Sequence, residues 1–351
     1  MKLNLLLKSY KSKAIASVCF SVAAILSGIA LGSVYVPPPD IFKIILHKAF
    51  GAALPGNIGA PAVSIVWNLR IPRALLAFVA GGALSVSGAI MQSVLRNPLA
   101  SSYTLGVSSG ASLGACFVIL YGFSIPVISM FTLPLMGFIF GLGTILLAIA
   151  FASRLDGNMQ NHTIILTGMV FSLFINAVTT LMAAMSREHM QRLVFWQMGS
   201  FSMKDWSTVI ILAPITAAGA IFVMRYNREL DMMTFGEEQA KVMGINIKIV
   251  KRILLVTAAA LTGSAIAFVG VIGFVDLVAP HVVRKLFGSS HRHVIPMSAL
   301  LGGAFMVLCD LVARTVVSPG ELPVGAVTAI VGAPFFAYIY FSKRAGAKSG
   351  K

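Results

Sequence analysis

Acidic residues are scarce in this chain. Its 351 residues hold only 11 Asp and Glu against 27 Lys and Arg, and charged types reach just 11%. Hydrophobic types make up 58%, where an ordinary soluble domain has about 45–50% apolar and about 25% charged residues. So little charge excludes a soluble enzyme and a disordered chain. The three cysteines, Cys19, Cys116 and Cys309, each lie alone in an apolar run. That excludes a disulfide scaffold and a CxxC site, and leaves them as small residues facing protein or lipid. No HExxH motif and no evident nucleophile–base pair occur. The tail Gly346-Ala-Lys-Ser-Gly350-Lys351 is one residue short of P-loop spacing and lacks the following Ser or Thr. His281, His291 and His293 share their spacing with no thiolate or carboxylate, which argues against a metal site. The expectation is a non-enzyme that itself binds no cofactor and no metal.

What remains is apolar and basic. A net charge of +16 would indicate nucleic acid in a soluble protein. Here the basic residues fill short gaps between apolar runs, the pattern of membrane topology, so a lipid bilayer is the expected partner and nucleic acid is not. A spanning helix needs about 20 mostly apolar residues. The runs predict ten spans: 14–36, 74–94, 104–122, 131–152, 163–185, 207–224, 250–268, 270–282, 296–317 and 324–341. The first is too long for a signal-peptide core and is followed by Pro37, Pro38 and Pro39 rather than a cleavage box, so it reads as a retained helix. The eighth is short, which predicts a broken helix buried in protein. Gly106, Gly110 and Gly114, and the pair Gly137 and Gly141, predict close helix packing.

With the N-terminus inside, most of the 27 basic residues fall on the cytoplasmic side, which selects an N-in, C-in chain. The fold class is therefore an all-α polytopic membrane protein of about ten transmembrane helices, a single domain over 1–351. Its cytoplasmic pieces are 1–13, 225–249 and 342–351. Outside remain Lys43, Lys48, Arg70, Arg73, Arg187, Arg192, Lys204 and Arg314, which call for an explanation.

Within 230–246, Thr234 and Glu237 have capping-box spacing and Gly244 suits a C′ position. A helix of about nine residues between them is marginal alone in water. It either packs under the bundle through Phe235, Ala240, Val242 and Met243 or fits a groove on a cytoplasmic partner. Trp67-Asn-Leu-Arg70-Ile-Pro72-Arg73 reads as an interfacial anchor or as a rigid basic patch for an acidic partner. Gln92 to Ala100 is structural punctuation, with Asn97 capping and Pro98 opening the next element. Pro280 is expected to end the eighth span, with His281 and Arg284 at the inner surface. Asp310 and Arg314 share a helix face and can pair. Asp276, ionisable inside a span, is expected to face protein or water.

Taken in order, Arg70-x-Pro72-Arg73, Arg96-Asn97-Pro98-Leu99-Ala100, Gly236-Glu237-Glu238-x-Ala240, Pro280-His281-x-x-Arg284, Asp310-x-x-x-Arg314 and Glu321-Leu322-Pro323-x-Gly325 resemble the permease subunit of the iron-siderophore, haem and cobalamin (FecCD-type) family of ABC importers. The resemblance implies a ten-helix subunit pairing with a second copy or a paralogue. It also implies two cytoplasmic ATPase subunits, which use ATP and Mg²⁺, and an extracytoplasmic substrate-binding protein. By resemblance, 235–243 is the helix that docks on the ATPase, with Thr234, Gly236, Glu237, Glu238, Ala240 and Gly244 in that segment. Arg70, Arg73 and Arg314 match positions that face acidic residues of the binding protein. Span 163–185 and segment 186–206 resemble a pathway-lining helix and its outer gate. Asp276, Pro280, His281, Arg284, Asp310, Glu321 and Pro323 are structural or pathway candidates, Asp276 standing where the family commonly has Gly. The implied function is ATP-driven import of an iron chelate or cobalamin across the cytoplasmic membrane. The alternative is an ion- or proton-coupled secondary transporter titrating at Asp276 and Asp310.

Overall fold

The computed structural model of the chain describes residues 10–32, 34–186 and 189–348, with side chains to Tyr338. Lys2, Lys8, Arg187 and the last three residues of the P-loop-like tail lie outside the described residues.

Apolar runs in hydrocarbon must satisfy their own backbone, so they form helices. The chain enters with α1 (Tyr10–Ala30) and lays α2 (Pro38–Phe50) at the outer end. It returns through α3 (Ala60–Ser64), a π-helical stretch at Ile65–Arg70 and α4 (Ile71–Val94). Next come α5 (Val107–Tyr121), α6 (Thr132–Leu155), α7 (Asn161–Met185), the short outer α8 (Met190–Gln197) and α9 (Trp206–Met224). At the inner end α10 (Asn227–Phe235) and α11 (Glu237–Val242) form an elbow. The chain finishes with α12 (Ile247–Val269), α13 (Val275–Phe287), α14 (His291–Thr315) and α15 (Val324–Lys348).

Among the described residues, seven helices are long and apolar enough to cross a bilayer: α1, the α3–α4 rod, α6, α7, α9, α12 and α14. Two shorter apolar helices, α5 and the 324–338 part of α15, and the half-helix α13 complete the ten expected crossings. The α3–α4 rod is the centre of the bundle, 83% of its most apolar window being buried. It packs against α14, α12 and α13. The approach is backbone to backbone. A Cβ on Gly88 would overlap the Asp276 carbonyl, and one on Gly302 would overlap Ser85 Oγ. By contrast only 28% of the α1, α7 and α9 windows is buried. These helices bare Leu, Val and Phe side chains, as an apolar solvent permits.

Three local expectations change. Pro280 does not end its helix; it lies inside α13, and the break falls earlier, in the non-helical 270–274. The missing Pro280 N–H leaves the Asp276 carbonyl without its intrahelical partner, and Gln92 Nε2 supplies the bond at 3.1 Å. Thr234 is not a cap: it lies in α10, its hydroxyl donating to the Asp231 carbonyl at 2.6 Å. The helix predicted over 235–243 is shorter, the six residues Glu237–Val242, because Gly236 separates it from α10 with a φ of +146° that suits only glycine. Finally, Pro98 opens no helix. Asn97 accepts from Leu99 N in a turn, and α5 begins only at Val107.

Candidate functional site

At the inner end, the α10–α11 elbow has two unlike faces. Toward the bundle, Ala240 is fully buried and Glu237 Oε1 meets Lys251 Nζ at 2.7 Å. Lys251 is itself buried and also donates to Met159 O at 2.9 Å and Asn161 Oδ1 at 2.7 Å. Away from the bundle, Phe235, Val242 and Met243 are 74%, 89% and 62% exposed. Gly244 stands at the C′ position with φ +86°. Its N–H bonds Lys241 O at 2.9 Å and that of Ile245 bonds Ala240 O at 3.1 Å, closing α11 as a Schellman turn. Glu238 lies in the first turn of α11. Of the four residues expected to pack under the bundle only Ala240 does so, while Phe235, Val242 and Met243 are left bare.

A polar chain rises from this elbow into the bundle. Asp231 of α10 caps α14, accepting from His291 N at 2.8 Å and meeting His291 Nδ1 at 2.5 Å. His291 Nε2 reaches Ser93 Oγ at 2.6 Å, and Arg284 donates to Ser93 Oγ at 3.0 Å and to Gln92 Oε1. Gln92 then holds the Asp276 carbonyl. The Asp276 carboxylate accepts from Ser101 Oγ and is 2% exposed, so it faces protein as expected. His281 lies against Phe336, ring centroids 6.4 Å apart. No group of three or more His, Cys, Asp or Glu side chains placed to hold a metal ion occurs among the described residues. The string Gly106-Val-Ser-Ser-Gly110 has nucleophile-elbow spacing. Its central serine, Ser108, lies in the first turn of α5 instead, and the neighbouring Ser109 Oγ is 2.7 Å from Ser172 Oγ.

The outer end carries a cationic cluster. Arg73 is gripped by two carboxylates: Asp310 (Nε–Oδ1 3.0 Å, Nη2–Oδ1 2.9 Å) and Glu321 (Nη1–Oε1 2.7 Å, Nη2–Oε2 3.0 Å). Arg314 meets Asp310 at 3.5 Å, the expected same-face pair. Arg70, turned inward by the π-helical stretch, donates to the carbonyls of Ile29, Ala30 and Val34 at the end of α1. Arg70, Arg73 and Arg314 are thus engaged within the chain rather than presented as free side chains. They still line a cavity of about 370 Å³ with Lys204 and Glu321, four cations against one carboxylate. Arg314 Nε has no hydrogen-bond partner there. The Arg73 hydrogen bond holds the Glu321 carboxyl below the usual range, and burial lowers the Lys204 ammonium. Pro323 follows Glu321 at the mouth of α15. Just beyond it, Val324 N bonds Gly199 O and Gly325 N bonds Met198 O, both at 3.2 Å. The segment after α8 is thereby tied to the outer cluster.

Sequence reasoning missed Asp231, Ser93, Lys251 and Ser101. For Lys251 and Asp231 the signal was present, a charged residue inside or beside an apolar run that needs a partner; Ser93 and Ser101 carry none.

A bundle of about ten membrane helices with an exposed elbow at one end and a cationic cavity at the other defines a membrane-embedded transport subunit. The FecCD transport family model matches residues 19–342, and the chain belongs to that family. The uncharacterized ABC transporter permease protein YvrB of Bacillus subtilis is 42% identical over 330 residues, 94% of this chain and 93% of YvrB. The cobalamin import system permease protein BtuC of Halobacterium salinarum is 35% identical over 294 residues, 84% of this chain and 78% of that protein. A solved chain described as the inward-facing conformation of a metal-chelate type ABC transporter superposes with a TM-score of 0.81 at 27% identity. That match covers 95% of this chain and all of the other. The protein is a multi-pass, non-catalytic permease subunit of an ABC importer in the cytoplasmic membrane. Membership implies ATPase and binding-protein partners and displaces the secondary-transport alternative.

Proposed function

We propose that this permease carries a bulky metal chelate or corrinoid, an iron chelate, haem or cobalamin, inward. Energy comes from ATP and Mg²⁺ used by two partner ATPase subunits. The relatives support the cargo class: their names include cobalamin import, hemin transport in Yersinia pestis and Fe(3+) dicitrate transport in Escherichia coli. A second copy or paralogue completes the pathway, and the exposed apolar faces of α7 and α9 are the surfaces free to meet it or lipid.

The observation that carries the reading is the α10–α11 elbow. Glu237 and Ala240 fasten it to the bundle while Phe235, Val242 and Met243 stay bare. An exposed apolar patch on a polar inner face marks an interaction site. We assign Thr234, Gly236, Glu237, Glu238, Ala240 and Gly244 to this ATPase-coupling element within the cytoplasmic segment 225–249. Glu237, Ala240 and Gly244 position it and Glu238 borders its free face. On the outside, the cationic cavity receives an acidic group of the binding protein, with Arg73, Arg314 and Lys204 as its lining cations and Arg70 as a buried support. The carboxylates Asp310 and Glu321 preset Arg73. Asp276 and Pro280 shape the break before α13, and His281 and Arg284 lie further along that helix.

The test is uptake and ATP hydrolysis by the reconstituted importer carrying Phe235→Asp and Val242→Asp. Both activities are expected to fall to the level of the ATPase alone while the permease still inserts. Normal uptake would remove the coupling assignment.

A further inference from the structure

The inner end carries a second cavity, of about 520 Å³, between the turn after α4, the end of α10 and the turn before α14. Arg96, Arg284 and His291 line it, and its lining includes no aspartate or glutamate. Among the described residues Arg284 has no ion-pair partner. Its guanidinium donates only to neutral acceptors: Gln92 Oε1, Ala89 O at 3.2 Å and Ser93 Oγ at 3.0 Å. Arg96 is exposed and held in the left-handed region, φ +49°, by the turn that follows α4. Asp231, the nearest carboxylate in the network, is spent on His291. A half-buried guanidinium without a counter-charge is costly, and this one opens on a cavity large enough to admit a side chain.

Phe235 belongs both to the cavity wall and to the exposed apolar patch of the elbow. Leu99, 46% exposed, lies one residue beyond the Pro98 that lines the opposite wall. A body seated on Phe235, Val242 and Met243 therefore covers the cavity mouth. A carboxylate carried on that body would enter between Arg96 and Arg284 with water excluded, where a charge-assisted arginine bond is strongest. Apolar anchors around a desolvated charged pair are the usual anatomy of a specific interface.

We propose that this cavity receives an acidic side chain of the ATPase subunit, a second and charge-specific contact beside the apolar elbow. The proposal rests on the ATPase-docking reading above and adds the chemistry of the partner. It also gives the polar chain a role, since the guanidinium that meets the incoming acid holds Gln92, and Gln92 holds the Asp276 carbonyl at the break before α13.

The experiment measures association of the purified full-length permease with its cognate ATPase for Arg96→Glu, Arg284→Gln and Phe235→Asp, at low and high salt. Arg96→Glu is expected to weaken association about tenfold at low salt and less at high salt, because salt screens the long-range attraction that steers the acidic surface toward the exposed Arg96 before the mouth is covered. Its thermal midpoint should be unchanged, since Arg96 is exposed. One Asp or Glu to Lys change on the ATPase surface should restore the Arg96→Glu complex. Should Arg96→Glu and Arg284→Gln bind as tightly as the parent at every salt while Phe235→Asp fails to bind, the acidic contact is overturned and the elbow reading stands. Should Phe235→Asp also bind normally, the docking reading itself fails. Inorganic phosphate added to the isolated permease is the last arm. An Arg96-dependent rise in thermal midpoint, with ATPase affinity unchanged in Arg96→Glu, makes the cavity a small-anion site and overturns the proposal.

Discussion

Glu237 and Lys251 meet at 2.7 Å across the junction of α11 and α12, the lysine buried and the glutamate 24% exposed. This contact fixes a six-residue helix that could not hold its shape alone. It also joins the elbow to the loop at Met159 and Asn161, which supply the other two acceptors of Lys251.

Removing the carboxylate leaves a buried ammonium with two neutral partners. Glu237→Ala is expected to cost about 1–3 kcal/mol, the range for losing a charged hydrogen bond, and to reduce uptake more than insertion. The double variant Glu237→Gln/Lys251→Met removes the charge with its partner and should recover thermal stability, since apolar replacement of a buried pair is often neutral. Thermal unfolding of the three proteins checks this.

The Asp276 carbonyl offers a second test. Gln92 holds it because Pro280 has no N–H to give. Pro280→Ala restores that donor, so it should rescue part of the stability lost in Gln92→Leu. A double-mutant cycle should return a coupling of about 1 kcal/mol, typical of one hydrogen bond. Additive effects would place the Gln92 role elsewhere.

At the outer end the Arg73 hydrogen bond lowers the folded-state pKa of Glu321. A carboxylate with a depressed folded-state pKa contributes stability that is fully present above its unfolded pKa. That contribution is lost as pH falls through the lowered folded-state value. The thermal midpoint of the parent should therefore drop more steeply than that of Glu321→Gln on acidification below the ordinary glutamate range. Because Glu321 is part-exposed, the difference will be small.

Helix placement was largely legible in the sequence because membrane spans are dictated by local apolar length. The ten crossings follow from runs such as Ile247–Val269 without tertiary information. The coupling element was legible in outline only. Gly244 marked its end, but Thr234 and Glu237 matched a capping box while the backbone chose a glycine break. The side chains went to Asp231 O and Lys251 instead. Arg70 and Arg314 illustrate the opposite limit. Sequence position puts them at the outer mouth, yet the π-helical stretch and the end of α1 turn Arg70 inward, and Arg314 donates to Gly28 O. Such partners lie 40 or 286 residues away in sequence. Long-range partners leave no local pattern, which is also why the chain from Asp231 to Asp276 emerged only in three dimensions.

The outer cluster gives one further expectation. Charge reversal at Arg70 should impair folding, because three backbone carbonyls lose their donor. Lys204→Glu should leave folding intact and weaken binding-protein docking, more visibly at low salt. Parallel measurement of the thermal midpoint and of docking affinity separates the two outcomes.

The proposed coupling stands on the grip of the elbow's bare face on the ATPase. Its most direct measurement is the equilibrium association of the purified permease with its cognate ATPase for the parent and for Phe235→Asp/Val242→Asp, with membrane insertion verified for both. A tight complex is expected for the parent and none for the variant; equal affinity for the two would remove the coupling role of the elbow.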